Sequence, residues 1–286
     1  MRDGKRGGMG WTVLVLALGA GLGTGWGHAQ EKGGDGIIPL QVKGVAPCPK
    51  LHGPASLSLA GHRAVEIQVK MDVDVDGAPN AYGPRGKKTL DVQKHALSPK
   101  NGPHPGRVVG YMTDYDGGPP TVQRKGDPYP GYYVSQTDFA DLHNPRKEDP
   151  RRYVDASRIN YVVEGDAAEK AGVQMGDFAT VYSCRTGKSA YAIVADSGND
   201  SGAEGSLALV QALGYNIRNG IEDSVDDREI VIRYFPGTNP EKTFFHSQAA
   251  LNQAAAPHPK GTRWHGSSVA RYLSEAMTGP RSTVSP

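Results

Sequence analysis

Neither sign of charge predominates in this sequence: 32 Lys and Arg stand against 30 Asp and Glu in 286 residues. That balance excludes a nucleic-acid binder working through bulk electrostatics. Aromatic residues are scarce at 7%, yet a hydrophobic share of 37% is too high for a wholly disordered chain. Beyond the first thirty residues no apolar run is long enough to cross a bilayer. There is no internal repeat. The two cysteines and nine histidines never fall at metal-ligand spacing. What is plentiful is glycine, 38, and proline, 21. They point to turns, short strands and loops rather than a helical bundle.

Residues 1–29 read as an export signal. Arg2, Lys5 and Arg6 form a basic start, the apolar run from Trp11 to Leu18 follows, and Gly27-His28-Ala29 offers small residues near a cleavage point. As a membrane anchor, residues 11–22 are too short for about 30 Å of hydrocarbon. The expected location is secreted or periplasmic, with no membrane attachment once the signal is cut. Without it, 29 basic and 29 acidic residues remain. In an oxidising compartment Cys48 and Cys184 are able to pair, although two unrelated thiols fit the sequence equally well.

Residues 30–60 are Gly-, Pro- and Lys-rich and read as a linker or N-terminal arm. Residues 61–240 carry the core signal, and 241–286 form a C-terminal extension, partly helical and then disordered. Val65, Ile67, Val69 and Met71 alternate with polar partners, which predicts a strand. Further strands are expected at 107–112, 132–136, 159–163, 178–184 and 230–235. The apolar run 191–195 reads as a strand buried on both faces. Residues 204–213 look helical, with Gly214 as the stop; 244–255 and 267–277 are further candidate helices. The fold class expected is α+β, mostly β: a compact barrel-like domain with one core helix after the catalytic strand and a helical C-terminal tail.

Several familiar motifs fail on inspection. Gly187-Lys188-Ser189 lacks the earlier glycine and the following helix of a phosphate loop. Asp72-x-Asp74-x-Asp76-Gly77 begins like a calcium loop, but its twelfth position is Gly83. Ala195-Asp196-Ser197-Gly198 does not form a nucleophile elbow. Asn199-Asp200-Ser201 satisfies the glycosylation pattern by chance.

Asp196 and Glu204 survive this filter. Asp196 follows a buried strand, and Glu204 is expected in the first turn of the next helix, so both reach one rim across a Gly/Ser loop. Two carboxyl groups flanking a sugar bond are what glycoside hydrolysis needs. The same residues also fit purely structural roles. Ser201-x-x-Glu204 is a capping box, and Asp196 before Ser-Gly is a turn former.

A series of motifs resembles the glycoside hydrolase family 75 chitosanases of bacteria and fungi. They run from Met71-Asp72, Asp76-Gly77 and Asn80-Ala81-Tyr82-Gly83-Pro84 to Gly131-Tyr132-Tyr133-Val134-Ser135 and Asp149-Pro150-Arg151-Arg152-Tyr153-Val154-Asp155. Gly176-Asp177-Phe178-Ala179, Tyr191-Ala192-Ile193, Asp196-x-Gly198 and Glu204-Gly205-Ser206-Leu207-Ala208 complete the series. The resemblance covers roughly residues 62–237. It implies an inverting endo-chitosanase that cleaves β-1,4-linked glucosamine polymers, with Asp196 and Glu204 as its catalytic pair. Two departures stand out: Gly198-Asn199 where the family usually has Gly-Pro, and Ala203 where it usually has Gly.

The partner so implied is a cationic polysaccharide, with no metal or organic cofactor, no nucleic acid, and a monomeric enzyme. Asp72, Asp74 and Asp76 share one strand face by period-two geometry and would meet the polymer's ammonium groups, or else form a solvated edge. Tyr82 and Tyr133 are candidates to stack on sugar, Gln123 a weaker substrate contact, and Tyr191 a core residue. Ala203 and Leu207 flank Glu204 and favour it as general acid, while a helix N-terminus would oppose that by favouring its anion. Two rivals remain: a non-catalytic polysaccharide-binding protein, and a hydrolase of another glycan or a phosphodiester.

Overall fold

The computed structural model describes residues 37–38, 53–59, 62–98, 100, 105–221, 223–258 and 262–263. Its strands are β1 (Ile37–Ile38), β2 (Ala55–Leu59), β3 (His62–Asp74), β4 (Tyr161–Val163), β5 (Phe178–Ser183), β6 (Ser189–Asp196), β7 (Glu204–Ser206), β8 (Ser224–Tyr234), β9 (Pro257–His258) and β10 (Thr262–Arg263). The helices are α1 (Asp166–Lys170), α2 (Leu207–Ala212) and α3 (Gln248–Ala255). Hydrogen bonding runs β6-β4-β7-β3-β8-β5, and β5 pairs back to β6. Six strands thus close into a barrel, which leaves no free edge within the ring. The domain is mostly β with few helices. Among the described residues no helix is long and apolar enough to cross a membrane.

The apolar patterns explain which strands carry the core. Val65, Ile67, Val69 and Met71 of β3 are buried, and all eight residues of β6 are buried, as the continuous run predicts for a strand covered on both faces. The β5–β6 connection is an antiparallel hairpin turned at Gly187, whose φ is 68°. β1 and β2 add outside the ring, on β6 and β3. The segment expected to be a linker or N-terminal arm thus contributes two strands.

The strands expected at 107–112 and 132–136 reduce to isolated bridges such as Tyr111 to Ser135 and Val122 to Tyr133. The glycines and prolines between them, among them Gly117, Gly118, Pro119 and Pro120, interrupt any ladder. The domain also runs past residue 240. Phe245, Leu251 and Ala255 are buried in the core. The Gln248 side chain accepts from Asn160 N at 2.7 Å and donates to Tyr191 O at 3.2 Å, which ties α3 to the barrel. Cys184 is disulfide-bonded, while Cys48, the export segment and the helix expected at 267–277 lie outside the described residues.

The helix expected from Glu204 begins three residues later. Glu204–Ser206 is strand β7, parallel to β3 and antiparallel to β4. Neighbours on both sides satisfy this backbone as a strand, so pairing overrides the local capping pattern. Ser206, not Ser201, caps α2. Its buried hydroxyl accepts from Leu209 N at 3.1 Å and from Tyr161 N at 3.0 Å. Ser206→Ala should leave both N–H groups short of a partner and lower stability by about 1–3 kcal/mol. Urea midpoints would check this, and an unchanged midpoint would contradict the double role.

Candidate functional site

β4 runs between the two strands that carry the predicted acids. Val162 pairs with Val194 of β6 on one side and with Gly205 of β7 on the other. Asp196 closes β6 and pairs with Val163, the last residue of β4. Glu204 opens β7, which runs antiparallel to β4, so both acids lie at the same end of this wall. Adjacent strands are about 4.8 Å apart, so two strands separated by a third are roughly 9–10 Å apart at the backbone. Loop 197–203 joins the acids without setting that distance.

Asp196 does not stand alone. One carboxylate oxygen from each of Asp74, Asp76 and Asp196 lies within 4.8 Å of the others. Asp74 ends β3. Asp76 lies beyond it in a turn, donating its N–H to Asp74 Oδ1 at 2.8 Å. Gly77 makes that turn possible: its φ is +75°, and a Cβ there would sit 2.1 Å from the Val154 carbonyl oxygen. Tyr82 OH donates to Asp76 Oδ1 at 2.7 Å, and Tyr161 OH donates to the Asp76 carbonyl at 3.0 Å. Gly110 lies so close to Asp76 that a Cβ would come within 2.8 Å of both its carboxylate oxygens.

These acids share an environment that resists charge. Burial pushes Asp196 well above the usual carboxylate range, and the like charges of Asp74, Asp76 and Asp138 add to it. Asp76 is likewise raised well above normal by burial and by Asp74. Asp74 is pushed up to about 6 by burial, against the opposing pull of the Asp76 N–H and Tyr161 hydrogen bonds. Glu204 is pushed up to about 7 by burial and by Asp74, while a hydrogen bond from Asn199 pulls it down. Asp74, Asp76 and Glu204 are only partly buried by exposed surface. They open on one side to solvent and are otherwise surrounded by protein. Asp74 acts on both Asp196 and Glu204, so it stands electrostatically between them.

The other predicted contacts divide. Asp72 pairs in register with Glu204, is 44% exposed at its side chain and faces Lys70 at 3.7 Å, outside the buried trio. The three aspartates therefore do not act as one strand face, because β3 ends at Asp74 and the chain turns. Tyr82 is 3% exposed, so its ring lies in the core rather than against a sugar. Gln123 is also buried, and its carboxamide is consumed internally. Its nitrogen donates to Pro79 O and to Tyr133 O, and its oxygen accepts from Tyr129 N. Neither residue is placed to contact substrate. Tyr133 remains partly exposed, 5.0 Å from the Tyr111 ring. Tyr191 is buried. Asp177 accepts N–H bonds from Gln174, Gly237, Thr238 and Asn239, the role of a turn residue.

Sequence reasoning missed Tyr161, Asp138 and Asn199. Tyr161 sits inside a strand with no local mark of its reach to Asp74 and Asp76. Asp138 donates its N–H to Asp196 Oδ1 at 3.4 Å and accepts from the Ser197 hydroxyl; it comes from a loop 58 residues earlier. A hard divalent cation could use the three oxygens of Asp74, Asp76 and Asp196. Asp72, which opened the calcium-like pattern, is not part of that set. Compared with known proteins, the chain matches no family model. No curated protein matches it either.

Proposed function

We propose that the chain is an exported, inverting endo-chitosanase whose catalytic pair is Asp196 and Glu204. The observation that carries this reading is the carboxyl pair on β6 and β7, separated by the whole of β4. A backbone spacing of roughly 9–10 Å leaves room for the 6.5–9.5 Å between carboxyl groups that inversion requires to admit water. The surrounding carboxylates suit a polycationic substrate, whose ammonium groups offset their repulsion.

The electrostatics favour Asp196 as acid and Glu204 as base, the reverse of the assignment the sequence suggests. Burial, and then the neighbouring acids Asp74, Asp76 and Asp138, raise Asp196 well above the usual carboxylate range, which favours its protonated form. Glu204 begins a strand rather than a helix, and Asn199 donates to its carboxylate at 2.8 Å. In this mechanism Asp196 protonates the departing glycosidic oxygen as the C1–O bond breaks. Glu204 takes a proton from the water that attacks C1 on the opposite face.

The test is reducing-end release from chitosan of varied acetylation, with chitin and cell-wall glycans as alternatives and Asp196→Asn and Glu204→Gln as controls. Loss of turnover with retained binding in both variants supports the enzyme. No wild-type turnover on chitosan overturns it. Turnover that a chelator abolishes favours a cation at Asp74, Asp76 and Asp196 instead.

A pH profile tests the base assignment. Glu204 must be ionised, so kcat/KM should fall as pH drops below about 7. Bound ammonium groups favour the ionised form, so the corresponding limb of kcat should lie at lower pH. Coincident limbs, or a kcat/KM flat down to pH 5, would contradict this.

A further inference from the structure

Loop 197–203 contributes one polar contact whose direction is fixed by chemistry. Asn199 Nδ2 lies 2.8 Å from Glu204 Oε1. Asn199 Oδ1 accepts from Ser201 N at 3.1 Å and from Ser201 Oγ at 2.6 Å. A backbone N–H can only donate, so the carboxamide oxygen must face Ser201 and the nitrogen must face Glu204. The Asn199 carbonyl accepts from Gly202 N at 2.8 Å, which folds the loop back on itself and carries Asn199 to that position. Among the described residues no other side chain is recorded donating to Glu204. The nitrogen that a glycan would occupy in the Asn199-Asp200-Ser201 pattern is the one that holds the carboxylate.

We propose that Asn199 is a positioning residue for Glu204, fixing the orientation of its carboxylate and stabilising the charged form that a general base needs. The inference rests on the catalytic reading of Glu204, but the contact can be tested apart from it. Aspartate cannot replace Asn199. It would meet Ser201 with one oxygen and set the other, charged, against Glu204. Alanine removes the donor without adding charge.

The experiment is a carbon-detected NMR titration of the Glu204 carboxyl, assigned by its absence in Glu204→Gln, in the wild type and in Asn199→Ala and Asn199→Asp. Loss of a charge-assisted donor should move the Glu204 midpoint upward by about one pH unit in Asn199→Ala. Asn199→Asp should move it at least as far. Should the protein cleave chitosan, the acid limb of kcat/KM should shift by the same amount, with KM little changed. Melting temperatures report folding, and a merely structural role for Asn199 would lower them without moving the midpoint. An unmoved midpoint in folded Asn199→Ala overturns the proposal even if chitosan is cleaved. A shifted midpoint in a protein with no chitosan turnover upholds the contact and removes the chitosanase reading alone.

Discussion

Asp196→Asn should reduce turnover on chitosan about a thousandfold while raising the melting temperature near pH 7.5. In the proposed mechanism the loss follows from removing the proton donor to the leaving oxygen. The gain follows from the site's electrostatics, because Asp196 is buried among the charges of Asp74, Asp76 and Asp138. A protonated Asp196 costs stability at pH 7.5, where the unfolded chain releases its proton, and an amide of the same size removes that cost. The pH dependence has a definite sign. A carboxyl whose pKa is higher in the folded than in the unfolded state costs no stability when both states are protonated. Its cost grows as pH rises between the two values. For Asp74 that window runs from 3.8 to about 6, and for Glu204 from 4.5 to about 7. Wild-type stability should therefore fall between about pH 4 and 7, and the advantage of Asp196→Asn should be larger at pH 7.5 than at pH 5. Calorimetry at both values, alongside reducing-end assays, checks the two halves together. Retained turnover, or a melting temperature lower than wild type at pH 7.5, would sink the assignment.

Gly77→Ala should cost about 2–5 kcal/mol of stability. A side chain at φ +75° carries about 1–2 kcal/mol of strain. Its Cβ would also meet the Val154 carbonyl oxygen at 2.1 Å, a backbone atom that cannot rotate away, adding about 1–3 kcal/mol. The Gly77 N–H also donates to Ser135 Oγ at 3.0 Å, so relieving the clash disturbs the turn that holds Asp76. Activity should fall with stability, even at temperatures where the variant remains folded. Gly117→Ala is the matching control. Its φ is +73° and nothing lies within 4 Å of the added Cβ. Only the strain of about 1 kcal/mol should appear there, with activity kept. Equal urea midpoints for the two variants would show that the contact with Val154 does not matter.

What could be read from sequence depended on how local the cause was. The strand ending at Asp196 is legible because residues 191–195 form an unbroken apolar run, although the strand itself extends from Ser189 to Asp196. Strand β7 is not. Its three residues include a glycine and follow a pattern that caps helices, and their partners Asp72, Val73 and Asp74 lie some 130 residues earlier. The alternation through Asp72, Asp74 and Asp76 looked continuous, and the turn from Asp76 through Gly77 to Asn80 is legible in the sequence, yet the strand already stops at Asp74. Tyr82 and Gln123 were read as surface contacts because their polar ends imply exposure. The structure turns those ends inward, onto Asp76 and onto the Pro79 and Tyr133 carbonyls. Residue type alone could not say which way they point.

The loop between the acids has a use beyond the chemistry it borders. Asp196 and Glu204 are anchored by ladder bonds to β4 and β3, so their separation is inherited from sheet pitch rather than from residues 197–203. Side chains exposed on that stretch can change while the gap between the acids stays constant, provided that Asn199 and the turn that carries it are kept. The fold thus works as a chassis, with geometry in the welded frame and room for variation in the exposed part of a panel. A library confined to the exposed positions 197 and 200 would vary the panel without rebuilding the frame.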